Sequence, residues 1–398
     1  MSERPMKRRR TKHGVKSRSA VDAAARPSRK TAIKEDDSQN SVPVRGAKQT
    51  VSIAVPGSFI ANAQSAELKT YVAGQIARAA CIYRADEIVV FSDDAQEIDT
   101  TGRVRGASQS EPNAFLARVL EFLETPQYLR RHLFPIHRDF SCAGLLNPLA
   151  APHHLRPQDI SKFREGVVVR HDRTTQVSRP TDTQEDETSD LVYVGLRKLV
   201  QLPTQLPVGM RVTVQLKNPK QGREPRLPRG RRPQETNERL QGVPVSSREP
   251  LRQLGTFWGY TVRTAAGLGE ALRKCPFDDN GEVADQDKGG KYDVRIGTSE
   301  RGDKWQCDKG AAENKIPADF RHCIVVFGGV DGLETAVQGD ESTRLFCAGS
   351  GGDPRPLFTH YIDACAGQGS LTIRTEEALL VTMSMLHGAL NLQPAKSV

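Results

Sequence analysis

Three stretches in the last third of this chain run a short β-rich segment into a polar loop that contains glycine. They occupy 293–302, 323–332 and 365–378, and the last one leads into a predicted helix. Glycine lets backbone N–H and C=O groups approach a ligand closely, and open α/β sheets bind ligands beyond the carboxyl ends of their strands. A tight turn without a ligand explains any one of these loops. The three together predict a parallel sheet with one shared binding edge.

The segments around these loops have the periodicity of an α/β domain. Residues 51–55 and 87–91 read as strands, the second buried on both faces. Between them, helical spacing predicts one buried stripe made of Leu68, Val72, Ile76, Ala79 and Tyr83. A second helix ends before Pro126 and buries Leu116, Val119, Leu120 and Leu123. The pattern returns with a predicted strand over 257–262 and a helix over 267–275, and this order predicts a parallel sheet.

The middle of the chain has a different character. Short strand-like segments at 166–169, 191–194 and 211–216 are separated by turns rich in proline and glycine. This favours a small antiparallel β-barrel or sandwich inserted into the α/β domain. We therefore divide the chain into a basic tail of 1–49, an α/β domain of 50–140 and 251–398, and a β insertion of 141–250.

The net charge of +9 belongs to the first fifty residues. They hold 14 lysines and arginines against five acidic residues, whereas basic and acidic residues are equal in number in the rest of the chain. With so few large apolar residues the segment cannot offset its ordering entropy, which predicts a disordered tail. Its cluster Lys7, Arg8, Arg9 and Arg10 suits phosphate backbones or a nuclear import receptor. A solvated tail without a partner is the plain alternative.

A second basic segment lies within the β insertion, at 217–233. It carries seven lysines and arginines, among them Arg229, Arg231 and Arg232, and one glutamate. No aromatic residue is interleaved with them, so base stacking is not indicated. The residues alone leave open whether this segment contacts RNA or is a solvated insertion.

Several classes of protein are excluded by what the sequence lacks. No apolar run approaches the roughly 18 to 20 residues of a membrane span, and the N-terminus has no apolar core of a secretory signal. No Gly-Lys-Ser/Thr follows the glycines at P-loop spacing, which argues against ATP hydrolysis of that kind. The seven cysteines include no C-x-x-C pair, so we expect reduced thiols in an intracellular protein, with no metal site.

Blocks of sequence from Val51 onward resemble the eukaryotic and archaeal branch of the SPOUT-class RNA methyltransferases. They are 72–79, 86–91, 126–130, 144–149, 152–154, 163–166, 257–263, 296–302, 325–329 and 372–378. The resemblance implies an α/β-knot domain, whose C-terminal segment threads through a loop, and an OB-like β insertion. It also implies a homodimer that binds S-adenosylmethionine in the knot and methylates N3 of a uridine in large-subunit ribosomal RNA. A nuclear, nucleolar location is implied as well, and some members are associated with the mitotic spindle.

Methyl transfer from a sulfonium needs no metal and depends mainly on aligning nucleophile, methyl and sulfur. Uridine N3 carries a weakly acidic proton, so a base helps, as does a cation that stabilises the developing anion. Arg301 is the first catalytic candidate because its position in the 296–302 loop suits contact with either the cofactor carboxylate or the uracil oxygens. Weaker candidates, since an Arg-Glu pair can equally be structural, are Glu300, Arg374, Glu376 and Glu377.

By match to the family, we expect the cofactor pocket to be lined by Thr298, Glu300, Arg301, Gly328, Gly329, Asp363, Gln368, Gly369 and Thr375. We expect His153 and His154 to be structural or RNA-facing, since they lie in the approach to the insertion. The chain also departs from its relatives in two places, with Ala366 in place of a proline and Leu371 in place of an arginine. These changes predict a looser loop or a different preference for RNA.

Two functions fit these residues. The first is an S-adenosylmethionine-dependent RNA methyltransferase. The second is a non-catalytic RNA-binding factor of ribosome assembly or of the spindle on the same scaffold. Arg301, Gly328 and the 367–370 loop favour the enzyme, because a scaffold does not need them.

Overall fold

A computed structural model describes residues 48–93, 97–98, 104–105, 111–170, 187–222, 239–284, 289–305 and 315–390. Outside these ranges lie most of the predicted basic tail and the cations predicted to contact RNA, namely Lys7, Arg8, Arg9, Arg10, Arg229, Arg231 and Arg232. Their roles stay predictions. Within the described ranges, no helix combines the length and the apolar character that a membrane span requires.

The strands are β1 Thr50–Pro56, β2 Glu87–Phe91, β3 Glu97–Ile98, β4 Val104–Arg105, β5 Phe163–Val169, β6 Thr188–Tyr193, β7 Val200–Pro207, β8 Arg211–Leu216, β9 Leu240–Val245, β10 Thr261–Ala265, β11 Val294–Lys304, β12 His322–Val326 and β13 His360–Asp363. The helices are α1 Ala66–Ile82, α2 Glu111–Glu124, α3 Gln127–Leu133, α4 Glu249–Leu254, α5 Leu268–Arg273, α6 Gly332–Gly339, α7 Glu341–Phe346 and α8 Thr375–Leu390.

Six strands form one sheet in the order β10-β2-β1-β12-β11-β13, and every neighbouring pair is parallel. The predicted parallel sheet is therefore confirmed. Strands β12, β11 and β13 carry the three glycine loops and are neighbours in space. Because parallel strands all end at the same edge, the three loops meet there.

Both faces of this sheet are covered, as a parallel sheet requires. Ile53 of β1 packs on one face in a core with α1, α2 and α8, whereas Ala54 packs on the other with α5 and α6. All five residues of β2 are buried, as predicted. The predicted stripe of α1 was wrong at Leu68, which is 51% exposed. This side chain lies in the first turn of α1, where it faces solvent.

The middle of the chain forms a separate closed barrel of β5, β6, β7, β9 and β8, with valines and leucines inside. Four neighbouring pairs are antiparallel. β7 and β9 instead pair in parallel, with Val200 opposite Leu240, so the expectation of a wholly antiparallel barrel was wrong there. A closed ring with an odd number of strands cannot alternate direction all the way round, and one parallel pair is the consequence.

A buried ionic network joins this barrel to the α/β domain. The Arg211 guanidinium of β8 donates two hydrogen bonds to the Glu124 carboxylate of α2, at 2.6 and 3.0 Å, and one to Glu165 of β5, at 2.8 Å. Trp258 Nε1 and Thr213 Oγ1 also donate to Glu165, at 2.7 and 2.6 Å. Burial alone would raise the pKa of Glu124, but Arg211 and His153 outweigh it and hold that pKa well below its usual range. We call this group of residues the junction network.

The two neighbouring histidines belong to the junction network. His153 is fully buried and its Nε2 lies 3.0 Å from Glu124 Oε1, while His154 Nε2 lies 2.6 Å from the Glu124 carbonyl oxygen. Burial lowers the pKa of His154 to about 4, and the neighbouring His153 adds to this effect. Both histidines are structural, which agrees with the expectation for them.

The predicted strand over 257–262 was wrong in its extent. The regular strand, β10, begins only at Thr261, because Gly259 has a left-handed φ of +98° that interrupts it. A Cβ at Gly259 would lie 2.2 Å from Glu124 Oε1, so only glycine fits against the junction network. Phe257, Trp258 and Tyr260 are nonetheless buried, which explains why the segment resembled a strand in the sequence.

Candidate functional site

The loop between β12 and α6 turns tightly on its glycines. A Cβ on Gly328 would lie 2.6 Å from the backbone carbon of Gly332, and Gly332 itself has φ +80°. The Gly332 N–H donates to the Gly329 carbonyl at 3.2 Å. Thr375, the first residue of α8, donates through Oγ1 to the Gly328 carbonyl at 3.1 Å. The start of α8 therefore holds the loop after β12, and two of the three glycine loops are joined directly.

The second loop is a bulge inside a strand. The sequence indicated a short strand that runs into a polar loop over 293–302, whereas β11 continues through that loop with a shifted register. Ile362 of β13 pairs with both Thr298 and Asp303, and the four residues between them bulge out. A Cβ at Gly302 would lie 2.2 Å from the carbonyl carbon of Ile362. Glycine at this position is what allows the chain to return to β13.

Arg301 lies on this bulge with a side chain that is 73% exposed. Its Nη1 donates to Glu334 Oε1 of α6 at 3.1 Å, and the Arg355 guanidinium donates to its carbonyl oxygen. The bulge is fastened at its base by Thr298, whose Oγ1 donates to the Val326 carbonyl at 3.0 Å. The Arg301 guanidinium is therefore paired with Glu334 yet accessible, at the edge where the loops meet. No contact in the structure tests its predicted catalytic role.

The third loop, after β13, is open. Asp363 Oδ1 accepts from the Cys365 N–H at 2.9 Å, and Gln368 Nε2 donates to the Ser370 carbonyl at 3.1 Å. A Cβ built at Gly369 would meet no heavy atom within 4 Å. The hydrogen bonds of this loop are therefore local, and the space beside its backbone at Gly369 is open. Leu371, where the resemblance leads us to expect an arginine, is 97% exposed in this loop.

These placements sort the predicted cofactor residues into two groups. Thr298, Gly328, Gly329 and Thr375 lie in the tied part of the edge, where hydrogen bonds link β12, β11 and α8. Glu300, Arg301, Gln368 and Gly369 lie on the outer loops, and Asp363 lies at the base of the third loop. Backbone groups with open space beside them and the accessible Arg301 guanidinium suit a nucleoside with an amino-acid carboxylate. The open space at Gly369 is compatible with a bound cofactor of that kind.

The carboxyl ends of β1 and β2 adjoin the same edge. The Gly57 N–H donates to the Phe91 carbonyl at 3.0 Å, which extends the sheet ladder by one residue past β1. A Cβ at Gly57 would lie 1.5 Å from Asn113 Oδ1, so this turn accepts only glycine.

Two polar residues directly beyond these strands meet beside the β12 loop. Ser58 Oγ donates to Asp93 Oδ2 at 2.5 Å. A Cβ at Gly329 would lie 2.9 Å from Asp93 Oδ2 and 3.2 Å from Ser58 Oγ. The sequence analysis did not single out either residue. The available signal was that each comes two or three residues after a predicted strand of the parallel sheet.

No metal site was found at this edge or elsewhere in the part of the chain that the structure describes, since no three His, Cys, Asp or Glu side chains group there. The six cysteines within the described ranges are all free thiols. Two acids at the edge each lie close to a donor, Glu334 to Arg301 and Asp93 to Ser58. Paired acids of this kind can position a substrate and take part in proton transfer.

Comparison with known proteins places the chain in a family. A family model described as "Putative RNA methyltransferase" matches residues 50–386. A relative from Mus musculus named "28S rRNA (uridine-N(3))-methyltransferase" is 41% identical over 87% of this chain and 78% of its own length. Relatives of the same name from Homo sapiens and Drosophila melanogaster are 40% and 39% identical, over 90% and 87% of this chain and 83% and 63% of their own lengths.

The matched span runs from the first strand of the sheet to the last turns of α8 and so includes all three glycine loops and the barrel. The chain belongs to this family of RNA methyltransferases. The predicted enzyme class is thereby confirmed.

Proposed function

We propose that this protein transfers a methyl group from S-adenosylmethionine to N3 of a uridine in large-subunit ribosomal RNA. The observation that carries the proposal is the joined edge formed by the β12, β11 and β13 loops in a chain of this family. The names of its relatives specify the base, the atom and the RNA. The rival reading, a non-catalytic RNA-binding factor, finds no observation in its favour at this edge.

The residues of the edge have distinct tasks in this proposal. Backbone groups around Gly328, Gln368 and Gly369 hold the nucleoside part of the cofactor, and Arg301 holds its carboxylate or the uracil oxygens. When bound, the sulfonium supplies an activated methyl group that needs no metal. Thr375 fixes the β12 loop through its 3.1 Å hydrogen bond to Gly328. The chain's contribution is then mainly alignment, which can supply a large share of the rate enhancement.

The decisive experiment uses the purified full chain, RNA from cells that lack it, and S-adenosylmethionine with a deuterated methyl group. Nucleoside mass spectrometry is expected to find deuterated N3-methyluridine in the large-subunit ribosomal RNA. If the protein binds RNA but gives no deuterated nucleoside, and titration calorimetry detects no S-adenosylmethionine binding, the non-catalytic factor is correct instead.

We further propose that two copies of the chain associate through α1 and α8. Helix α1 exposes Leu68, Tyr71 and Ile82, and α8 exposes Leu380, beside a groove that also includes Leu146. Burying this apolar surface against an identical copy would remove it from water. Light scattering is expected to give twice the chain mass of 43.8 kDa. Leu380→Glu should halve that mass, and an unchanged mass would contradict the proposed interface.

The resemblance extends the proposal in four respects. The α/β domain adopts the SPOUT knot, and the barrel acts as an OB-like insertion, with the domain boundaries given above. The basic residues of the tail add to the affinity for RNA, so removing residues 1–48 should weaken binding and flatten its salt dependence. An unchanged salt slope would contradict this role.

We place the protein in the nucleus and nucleolus, with spindle association a second location to examine by imaging.

A further inference from the structure

We propose that Ser58 and Asp93 form the proton acceptor for the uridine N3–H. This inference rests on the function proposed above and adds a residue pair that the family resemblance did not supply. The ends of three strands converge at this pair. Ser58 follows β1, Asp93 follows β2, and Gly329 follows β12.

The pair is held by the sheet itself. β1 lies between β2 and β12, and its ladder continues past its end through the 3.0 Å hydrogen bond from the Gly57 N–H to Phe91. Asn113 Oδ1 packs against Gly57 so closely that no side chain fits there. Ser58 directly follows this fixed point beyond β1, and Asp93 is the second residue beyond β2. Groups placed by a rigid scaffold suit catalysis better than groups on free loops.

A proton relay needs one group that the substrate can reach and a second group that is shielded from water. The two residues differ in burial in this way. Asp93 is 6% exposed, whereas Ser58 is only half-buried. A nucleobase can therefore reach the hydroxyl, while the carboxylate remains behind it at 2.5 Å. Gly329 adjoins both oxygens, at 2.9 and 3.2 Å from a Cβ built there. The relay thus borders the loop that we assign to the cofactor.

The step balances with the groups named. The uridine N3–H proton passes to Ser58 Oγ as the serine hydroxyl proton passes to the Asp93 carboxylate. The electron pair left on N3 forms the N–CH₃ bond, and the S–CH₃ bond of a sulfonium donor breaks with its pair going to sulfur. One positive charge on the sulfonium and one negative charge on Asp93 are both neutralised. Water can then take the proton from Asp93.

Other acids at the edge fit this task less well. Glu334 is engaged by the Arg301 guanidinium at 3.1 Å, and Asp363 accepts from a backbone N–H at the base of its loop. Glu300 is exposed on the bulge, where water competes for it. Ser58 with Asp93 combines a reachable hydroxyl with a shielded carboxylate.

The first test measures methylation of the RNA by the full chain and its variants. Asp93→Asn and Ser58→Ala are expected to lower kcat by about 100-fold, in the range typical of a lost general base, while the Kd for S-adenosylmethionine changes little. Matched controls are Asp340→Asn and Ser342→Ala, a serine-aspartate pair that joins α7 to α5 instead. RNA transcribed with 5-fluorouridine, whose N3–H is more acidic, should restore much of the rate of Asp93→Asn.

The second test needs no methyl donor. A short RNA around the position that the wild-type protein methylates is made with uridine or with N3-methyluridine. The wild-type protein should bind the uridine form roughly three- to tenfold more tightly, as one hydrogen bond predicts, and Ser58→Ala should lose that preference. An inactive wild-type protein overturns the proposed function. An active wild-type protein with Asp93→Asn equally active, or with a lost rate that 5-fluorouridine does not restore, overturns the relay alone.

Discussion

The junction network and the carboxyl edge of the sheet are both polar, but they are built in opposite ways. At the junction, the buried Glu124 carboxylate is bonded to the partly buried Arg211 guanidinium at 2.6 and 3.0 Å. At the edge, the recurring elements are glycines, hydroxyls and backbone groups, and the Arg301 guanidinium is accessible.

This difference has a lesson for locating active sites. Strongly shifted pKa values are often used to find catalytic groups. Here the pKa of Glu124 is held far below its usual range and that of Arg211 is raised by Glu124 and Glu165 against the effect of burial. Those groups join two parts of the fold. The edge proposed for catalysis is recognised instead by its glycine loops and by the way hydrogen bonds position its side chains, which suits methyl transfer because that reaction depends mainly on alignment.

The largest expected effect is at the junction. Glu124→Gln removes the buried carboxylate charge that pairs with the partly buried Arg211 guanidinium and should lower the free energy of unfolding by about 3–5 kcal/mol. The control is Lys274→Gln, which removes the exposed partner of Glu270 and should cost at most about 0.5 kcal/mol. Denaturant unfolding of the full chain measures both. If both variants lost the same free energy of unfolding, the junction would stabilise the fold no more than a surface ion pair does.

The next effect is on activity and belongs to the edge. Arg301→Ala should reduce methylation about 100-fold, equivalent to roughly 2.7 kcal/mol of lost transition-state stabilisation. Because the side chain is 73% exposed, the free energy of unfolding should change by less than about 1 kcal/mol. Arg273→Ala on α5 serves as a matched surface variant. Activity within twofold of the wild type would show that Arg301 only pairs with Glu334.

A smaller effect is expected in the backbone of the edge. Gly328→Ala forces a Cβ to within 2.6 Å of the Gly332 backbone, which cannot move aside as a flexible side chain can. Overpacking of this kind costs about 1–3 kcal/mol and should also weaken binding of S-adenosylmethionine. Gly349→Ala has open space around it and should change stability little. Thermal unfolding and calorimetry check the pair, and a neutral Gly328→Ala would contradict the described turn.

Part of the pH dependence of stability should come from the junction. The pKa of His154 is lowered on folding to about 4, so the unfolded chain binds the proton more readily and stability rises with pH. The contribution is complete above the unfolded value of about 6.5 and is lost as the pH falls toward 4, with a slope of up to about 1.4 kcal/mol per pH unit. His154→Gln keeps a donor for the Glu124 carbonyl but does not titrate in this range. The melting temperature of this variant should therefore depend less on pH between 6.5 and 4. An unchanged slope would assign the dependence to other groups.

Local patterns were enough to predict much of the fold. The buried run of β2 and the α2 spacing are periodic signals, and the three glycine loops indicated the shared edge before any strand order was known. Patterns failed where a contact distant in sequence decides the backbone. Gly259 leaves the strand conformation because Glu124 and His153 lie against it, and the β11 bulge depends on β13.

The same reason explains what the sequence missed at the edge. Ser58 and Asp93 are 35 residues apart, and Gly329 is far beyond both, so only the sheet order brings them together. The family resemblance supplied the residues of the glycine loops. It supplied no proton acceptor, and the roles of Arg301 and the cofactor residues stay predictions.

Hydrogen–deuterium exchange of the full chain with saturating S-adenosylhomocysteine is the most direct measurement of where the cofactor binds. Protection is expected in the backbone of 298–303, 327–332 and 364–375, with the junction around Glu124 and Arg211 unchanged. Protection centred on the barrel or the junction, or none at saturation, would contradict a cofactor site at the carboxyl edge of the sheet.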